Sequence, residues 1–260
     1  MFEAISELWR HRDLIISFAL RDIKARYKQT ALGIAWAVLQ PLSMMVVFTL
    51  VFSLFAKIPS DGLPYPIFAY SGLVFWTFFA GVINAGTVSM VANSALIRKI
   101  HFPRATLLLA IVIASALDLL VSMSLFVVMM FYYKVSLTLS ALWTLPLLGV
   151  QMLFALGVVG LTSAAHVNFR DIGHGLPLML QLWMFASPVA YPLSVIPDWL
   201  LPFYLLNPMA PIIDGYRRAL LHGTGPDVLA VGLSATCVLL FAILALSVFR
   251  RAERTFADVI

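Results

Sequence analysis

The chain has 260 residues, of which 62% are hydrophobic and only 11% charged, and its mean hydropathy is +0.98. A soluble domain carries about 25% charged residues, so this composition excludes a water-soluble globular protein and a disordered chain. One cysteine, Cys237, forms no internal bridge, which excludes a disulfide scaffold, and the net charge of +5 fits the basic cytoplasmic loops of a membrane protein better than nucleic-acid binding.

The segment 1–28 does not read as a signal peptide, because charges are spread through it. Phe2, Ile5, Leu8, Trp9, Ile15, Phe18, Ala19 and Ile23 recur at nearly helical spacing, with charged residues between them. The pattern predicts an amphipathic helix, or two short ones, over 1–28 on the cytoplasmic membrane face, with an arm packed on other protein as the alternative.

Crossing about 30 Å of hydrocarbon takes about 20 apolar residues. Six intervals nearly free of Asp, Glu, Lys and Arg are long enough, and they predict spans over roughly 33–56, 66–91, 106–132, 142–166, 174–192 and 228–249. Only Asp118 interrupts them, without an evident basic partner. The interval between Asp198 and Asp214 is too short for a comfortable span. It includes Pro202, Pro208 and Pro211, and predicts a re-entrant or interfacial segment. Six spans put both termini on one side. Thirteen Lys and Arg fall on that side against four on the other, so the positive-inside rule makes it the cytoplasm. The expected fold is an all-α integral membrane protein, with 29–260 as one transmembrane domain.

No phosphate loop of the GxxxxGK[ST] type is present, so ATP hydrolysis is not expected on this chain. No HExxH, paired-cysteine or His cluster suggests a metal site. His166, Asn168, Arg170, Asp171 and His174 group at one loop, and read more simply as a hydrated interhelical turn than as an active centre. Asp118 fits a structural polar contact at least as well as a proton relay.

Four stretches are patterned more sharply. Residues 21–41, RDIKARYKQTALGIAWAVLQP, place Arg21, Arg26, Tyr27 and Lys28 where cations meet lipid phosphates, with Pro41 expected to kink the first span. Residues 94–105, SALIRKIHFPRA, hold Arg98, Lys99, Ile100, His101, Phe102, Pro103 and Arg104. A plain positive anchor needs no Ile100 or Phe102 between its charges, so this loop suits a groove on a soluble partner. Residues 185–221 contain six of the 14 prolines and break into short pieces, which predicts an external gate around Pro188, Tyr191, Pro192, Asn207, Pro208, Tyr216 and Arg217, with a structured external cap that does not gate as the alternative. The second span sets Phe75, Trp76 and Phe79 ahead of Asn84 and Thr87. Aromatic faces with amide and hydroxyl groups suit a sugar pathway, and small residues also suit helix packing. Gly157 and Gly160 read as close helix contacts and Cys237 as core filler.

At these four stretches the chain resembles the membrane subunit of polysaccharide ABC exporters, the type-2 permeases of O-antigen, capsule and teichoic acid. The matching pieces are RDIKARYKQTALGIAWAVLQP, RKIHFPR, SPVAYP and NPMAPIIDGYRRALL, in the order and spacing of that family. The resemblance implies a homodimer in the bacterial inner membrane with two copies of a separately encoded ABC ATPase, through which ATP and Mg act. It implies an interfacial helix over 1–28, a coupling helix over 94–105 and a re-entrant external gate over 193–222. The substrate it implies is a glycan on a polyprenyl diphosphate, whose diphosphate would be drawn to Arg26 and Lys28. The alternatives are a type-2 exporter of another lipid or drug-like molecule, a membrane-embedded polyprenyl-lipid transferase and a proton-coupled carrier.

Overall fold

In the computed structural model, residues 9–28, 30–100, 102–253 and 256 are described. The described residues are helical with connecting turns and contain no strand. The helices are α1 (Arg12–Tyr27), α2 (Trp36–Phe48), α3 (Tyr65–Ala92), α4 (Ser94–Lys99), α5 (Ala105–Tyr132), α6 (Thr144–Asn168), α7 (Asp171–Phe185), α8 (Leu201–Tyr204), α9 (Met209–Arg217) and α10 (Val228–Glu253). The chain continues through Pro41 inside α2 and widens into a π-helical stretch only at Thr49–Phe55.

Among the described residues, five helical stretches are long and apolar enough to cross a membrane: Gly33–Phe55, Tyr65–Ala92, Ala105–Tyr132, Leu139–Asn168 and Val228–Glu253. The span expected over 174–192 is instead the 15-residue helix α7, followed by turns from Ala186 onward. At 1.5 Å per residue it is about 22 Å long, short of the hydrocarbon thickness. Pro188 and Pro192 account for the difference, since each removes a backbone donor.

Helix α3 is the centre of the bundle. Ile67, Phe68, Ala69, Tyr70 and Leu73 on it are fully buried, and α2, α5, α6, α7 and α9 pack around it. Glycines permit the closest approaches. A methyl group at Gly86 of α3 would collide with both γ-carbons of Val159 of α6, and one at Gly157 would lie 2.9 Å from Phe241 of α10. Gly160 is looser, with its nearest neighbour at 3.8 Å. Gly86→Ala is therefore expected to cost about 1–3 kcal/mol, because branched Val159 has no free rotamer to yield. Thermal unfolding in detergent should show the loss, and Val159→Ala in the same chain should restore most of it.

The bundle has two distinct ends. At one, the Arg104 backbone N–H donates to Glu253 (2.9 Å) and the Phe18 and Phe102 rings meet at 5.7 Å. At the other, the Tyr65 hydroxyl donates to the Ala190 carbonyl (2.7 Å) and Ser140 donates to the Ala219 carbonyl (2.8 Å). Helices α6 and α10 run parallel, since Gly157 faces Phe241 and Gly160 faces Phe249.

The apolar positions singled out on the N-terminal segment divide in the structure. Ile15, Phe18 and Ala19 are buried, and α1 packs on α5, while Trp9, Ile16 and Leu20 stay exposed. Phe2, Ile5 and Leu8 lie outside the described residues. Cys237 corrects an expectation: it is exposed on α10 rather than filling the core.

Candidate functional site

A groove of about 740 Å³ opens between α1, α2, α3, α5 and α7. Its polar end is built by α1 and α5. The Arg26 guanidinium and the Tyr27 hydroxyl both donate to the Asp118 carboxylate, one to each oxygen. Asp118 was expected to lack a basic partner; α1, packed against the first half of α5, brings one from 92 residues away. Burial first, and then the bond to Asp118, push the Tyr27 phenol up to about 12, so it remains a donor at physiological pH. Ser122, one turn beyond Asp118, donates to the Asp118 and Ala37 carbonyls and ties α5 to the start of α2.

The remaining wall carries Trp36 and Trp76 with the amides Gln40, Asn84 and Gln181. Sugars present apolar C–H faces and many hydroxyls, which the exposed Trp36 ring and the amides answer, whereas Trp76 is largely buried against Phe79 and Trp183. Ser115 also lines the groove, and its buried hydroxyl has no hydrogen-bond partner.

The second-span residues divide. Trp76 and Asn84 line the groove. Phe75 stacks on Tyr216 at 3.5 Å, Phe79 stacks on Phe154 and meets Trp183 edge-on, both at 5.4 Å, and Thr87 bonds Thr162 across α6 at 2.6 Å. Those three pack against helices of the same chain.

The residues singled out at 185–221 converge on a pinned cap. Arg217 is only 3% exposed and donates to the carbonyls of Pro188 (2.5 Å), Val189 (2.5 Å) and Tyr191 (3.2 Å). Its guanidinium sits 3.8 Å from the centre of the Phe68 ring, a favourable desolvated cation–π contact. Gly72 makes room: a methyl group there would lie 2.8 Å from Arg217 Nη2. Tyr191 donates to the Phe185 carbonyl (2.7 Å) and shares a bond with the Tyr204 hydroxyl (2.6 Å). Asn207 accepts from Trp183 (3.0 Å) and donates to Ser187 (2.9 Å), and Ser234 of α10 donates to the Pro208 carbonyl (3.1 Å). Tyr216 donates to Gln151 (2.8 Å), which donates to the Phe75 carbonyl (2.8 Å). Pro192 precedes the short turn Leu193–Val195.

Sequence reading missed Gln151, Trp183 and Gly72. An amide inside an apolar span is a signal for Gln151. Nothing local marks the other two, whose roles arise from the distant partners Asn207 and Arg217.

The loop at 94–105 separates into two faces. Ile97 and Phe102 are buried, Phe102 on α1. Ile100 is 54% exposed beside exposed Arg98 and Lys99. Pro103 leads into α5, with its carbonyl accepting from Thr106 (3.0 Å). Arg104 is ion-paired with Glu253 at 3.8 Å, and His101 lies outside the described residues. Within α1, Arg21 pairs with neighbouring Asp22 (2.8 Å), whereas Lys28, just past its C-terminal end, is exposed.

Comparison with known proteins bears on the whole length. An O-antigen export system permease protein, RfbA, of Myxococcus xanthus is 30% identical over 99% of both chains. A protein of the same name from Klebsiella pneumoniae is 29% identical over 95% of both. The polysialic acid transport protein KpsM of Escherichia coli is 23% identical over 90% of this chain and 91% of its own. Residues 13–221, which take in the groove, the exposed loop and the pinned cap, match the ABC-2 type transporter family, and the chain belongs to that family.

Proposed function

We propose that the chain is the membrane subunit of an ATP-driven exporter that moves a lipid-linked polysaccharide, such as O-antigen, across the bacterial inner membrane. The observation that carries this is the groove, where an arginine at one end adjoins a wall of tryptophans and amides. That order, cation and then sugar-binding wall, matches a diphosphate followed by a glycan. The relatives named for O-antigen and polysialic acid transport support the same substrate class. A drug-like substrate would have little use for three amides beside two tryptophans.

The working unit is a homodimer with two separately encoded ATPase subunits, which supply the ATP and Mg chemistry. Helices α2 and α7 border the groove; Val46 on α2, Leu50 and Leu54 on the π-helical stretch that continues it, and Leu178 and Leu182 on α7 are exposed, apolar surface for lipid or a second copy. The proposed topology has six crossings and cytoplasmic termini. It is supported by connectivity: α6 finishes at the Arg104–Glu253 end, while Ala190 is held by Tyr65 at the other. Helix α7 with the turns after it makes up the short fifth crossing in chain order. The pinned cap over 193–222 acts as the external gate, the exposed loop over 94–105 as the ATPase-coupling segment, and 1–28 as the interfacial helix.

A strain lacking this chain is expected to lose the surface polysaccharide and accumulate its lipid-linked form inside. Unchanged surface glycan would overturn the reading. Arg26→Ala is expected to reduce export when substrate is limiting, with normal chain levels; full export under those conditions would remove Arg26 from the headgroup site.

A further inference from the structure

Asp118 is the one acid within the five long apolar stretches before the basic end of α10. Neither the glycan wall nor the external cap uses it. It occupies Arg26, the cation to which the proposed headgroup site assigns the diphosphate. We infer that Asp118 is a displaceable counterion: it holds Arg26 while the groove is empty, and a lipid diphosphate takes the guanidinium in its place. The inference rests on the reading of the groove as a site for lipid-linked glycan.

Both partners can be reached from the groove, since the Arg26 side chain is 33% exposed and that of Asp118 is 24% exposed. A guanidinium has five N–H donors in a fixed fork, and the Asp118 carboxylate engages it through one nitrogen. A diphosphate offers more charge and several acceptor oxygens, so it fits the fork better than a single carboxylate. The displaced carboxylate is not stranded. Tyr27 still donates to its other oxygen, and Ser115 lies three residues earlier on the same helix face with a buried, unpartnered hydroxyl. Exposed Lys28 follows directly on α1 and adds to the positive charge at that end of the helix.

Such exchange serves an exporter, which must release what it binds. An unpaired arginine in a partly dry groove would hold a diphosphate strongly. A carboxylate waiting to retake the guanidinium offsets part of that attraction and makes the headgroup site reversible. Asp118 is thus a positioning residue that sets headgroup affinity through Arg26.

The test is calorimetric titration of farnesyl diphosphate into the complete permease–ATPase complex in detergent, with inorganic diphosphate as a second probe. Asp118→Asn removes the competing charge and is expected to tighten farnesyl diphosphate binding about tenfold. Tyr27→Phe removes the bond that shelters the displaced carboxylate and is expected to weaken binding about threefold. Arg26→Ala should abolish it. Structural damage would move the first two variants in the same direction, so opposite signs support the exchange. Unchanged or weaker binding in Asp118→Asn, with Arg26→Ala still inactive, overturns the counterion role and leaves the headgroup site standing. Failure of the unaltered complex to bind farnesyl diphosphate would remove the headgroup site itself, and this inference with it. Equal affinity for inorganic diphosphate would assign the exchange to a free anion and overturn the lipid assignment.

Discussion

Arg217→Met is expected to unlock the pinned cap and destabilise the protein by about 3 kcal/mol or more. The buried guanidinium satisfies three carbonyls in the 188–191 turn and covers the Phe68 ring. Methionine fills much of the volume and supplies no donor, so three carbonyls would be left without their partner in a buried site. Each such loss costs about 1–3 kcal/mol, and relaxation of the turn would recover part of the sum. Thermal unfolding in detergent should show a clear drop, and proteoliposomes should become leaky to a small hydrophilic dye. Gly72→Ala approaches the same contact from the other side. Its methyl group would lie 2.8 Å from Arg217 Nη2 and 2.9 Å from the Val189 carbonyl oxygen, so it should produce a similar leak with the arginine still present. An unchanged melting temperature and a tight vesicle in both variants would rule out the pin.

Ile100→Asp is expected to strip the proposed ATPase subunit from the chain, by about tenfold or more in the amount that co-purifies, the scale of losing one interface hot spot. Ile100 is an exposed apolar residue between cations, and a buried acid at an interface core would stay unpaired. Phe102→Ala should behave differently although it is close by in the same loop. Phe102 is buried against Phe18 of α1, so its truncation should lower the melting temperature by the equivalent of about 3 kcal/mol, the usual scale for a buried phenylalanine. The pair separates docking from folding within one loop. Normal ATPase recovery with Ile100→Asp would move the coupling surface elsewhere.

These expectations differ in how far they were legible from residue order. The long spans follow from the bilayer, which imposes a length and forbids charge, so five of the six expected intervals correspond to long apolar helical stretches. The 174–192 interval satisfied the same composition rule and came out as the shorter α7, because Pro188 and Pro192 beyond its end supply no backbone donor to extend it, a restriction that hydropathy does not register. The loop at 94–105 was marked by apolar residues set among charges. The pattern could not say which apolar residue faces outward, since a helix as short as α4 offers too little periodicity.

The site shows the same division. Arg26, Trp76 and Asn84 were recognisable by residue type and location. That Asp118 is their neighbour, and that Phe75, Phe79 and Thr87 turn instead toward other helices, depended on which face of α3 each neighbour covers. In a span that is apolar all round, hydropathy has no direction, so it cannot tell a groove from a packed interface. Proline density likewise marked an irregular segment, while its pin, Arg217 in the space left by Gly72, pairs two distant parts of the chain. Composition, charge placement and helix breakers thus define which segments enter the membrane and where they stop. Packing between distant helices defines which polar groups meet, because a buried charge must find its partners in three dimensions rather than along the chain.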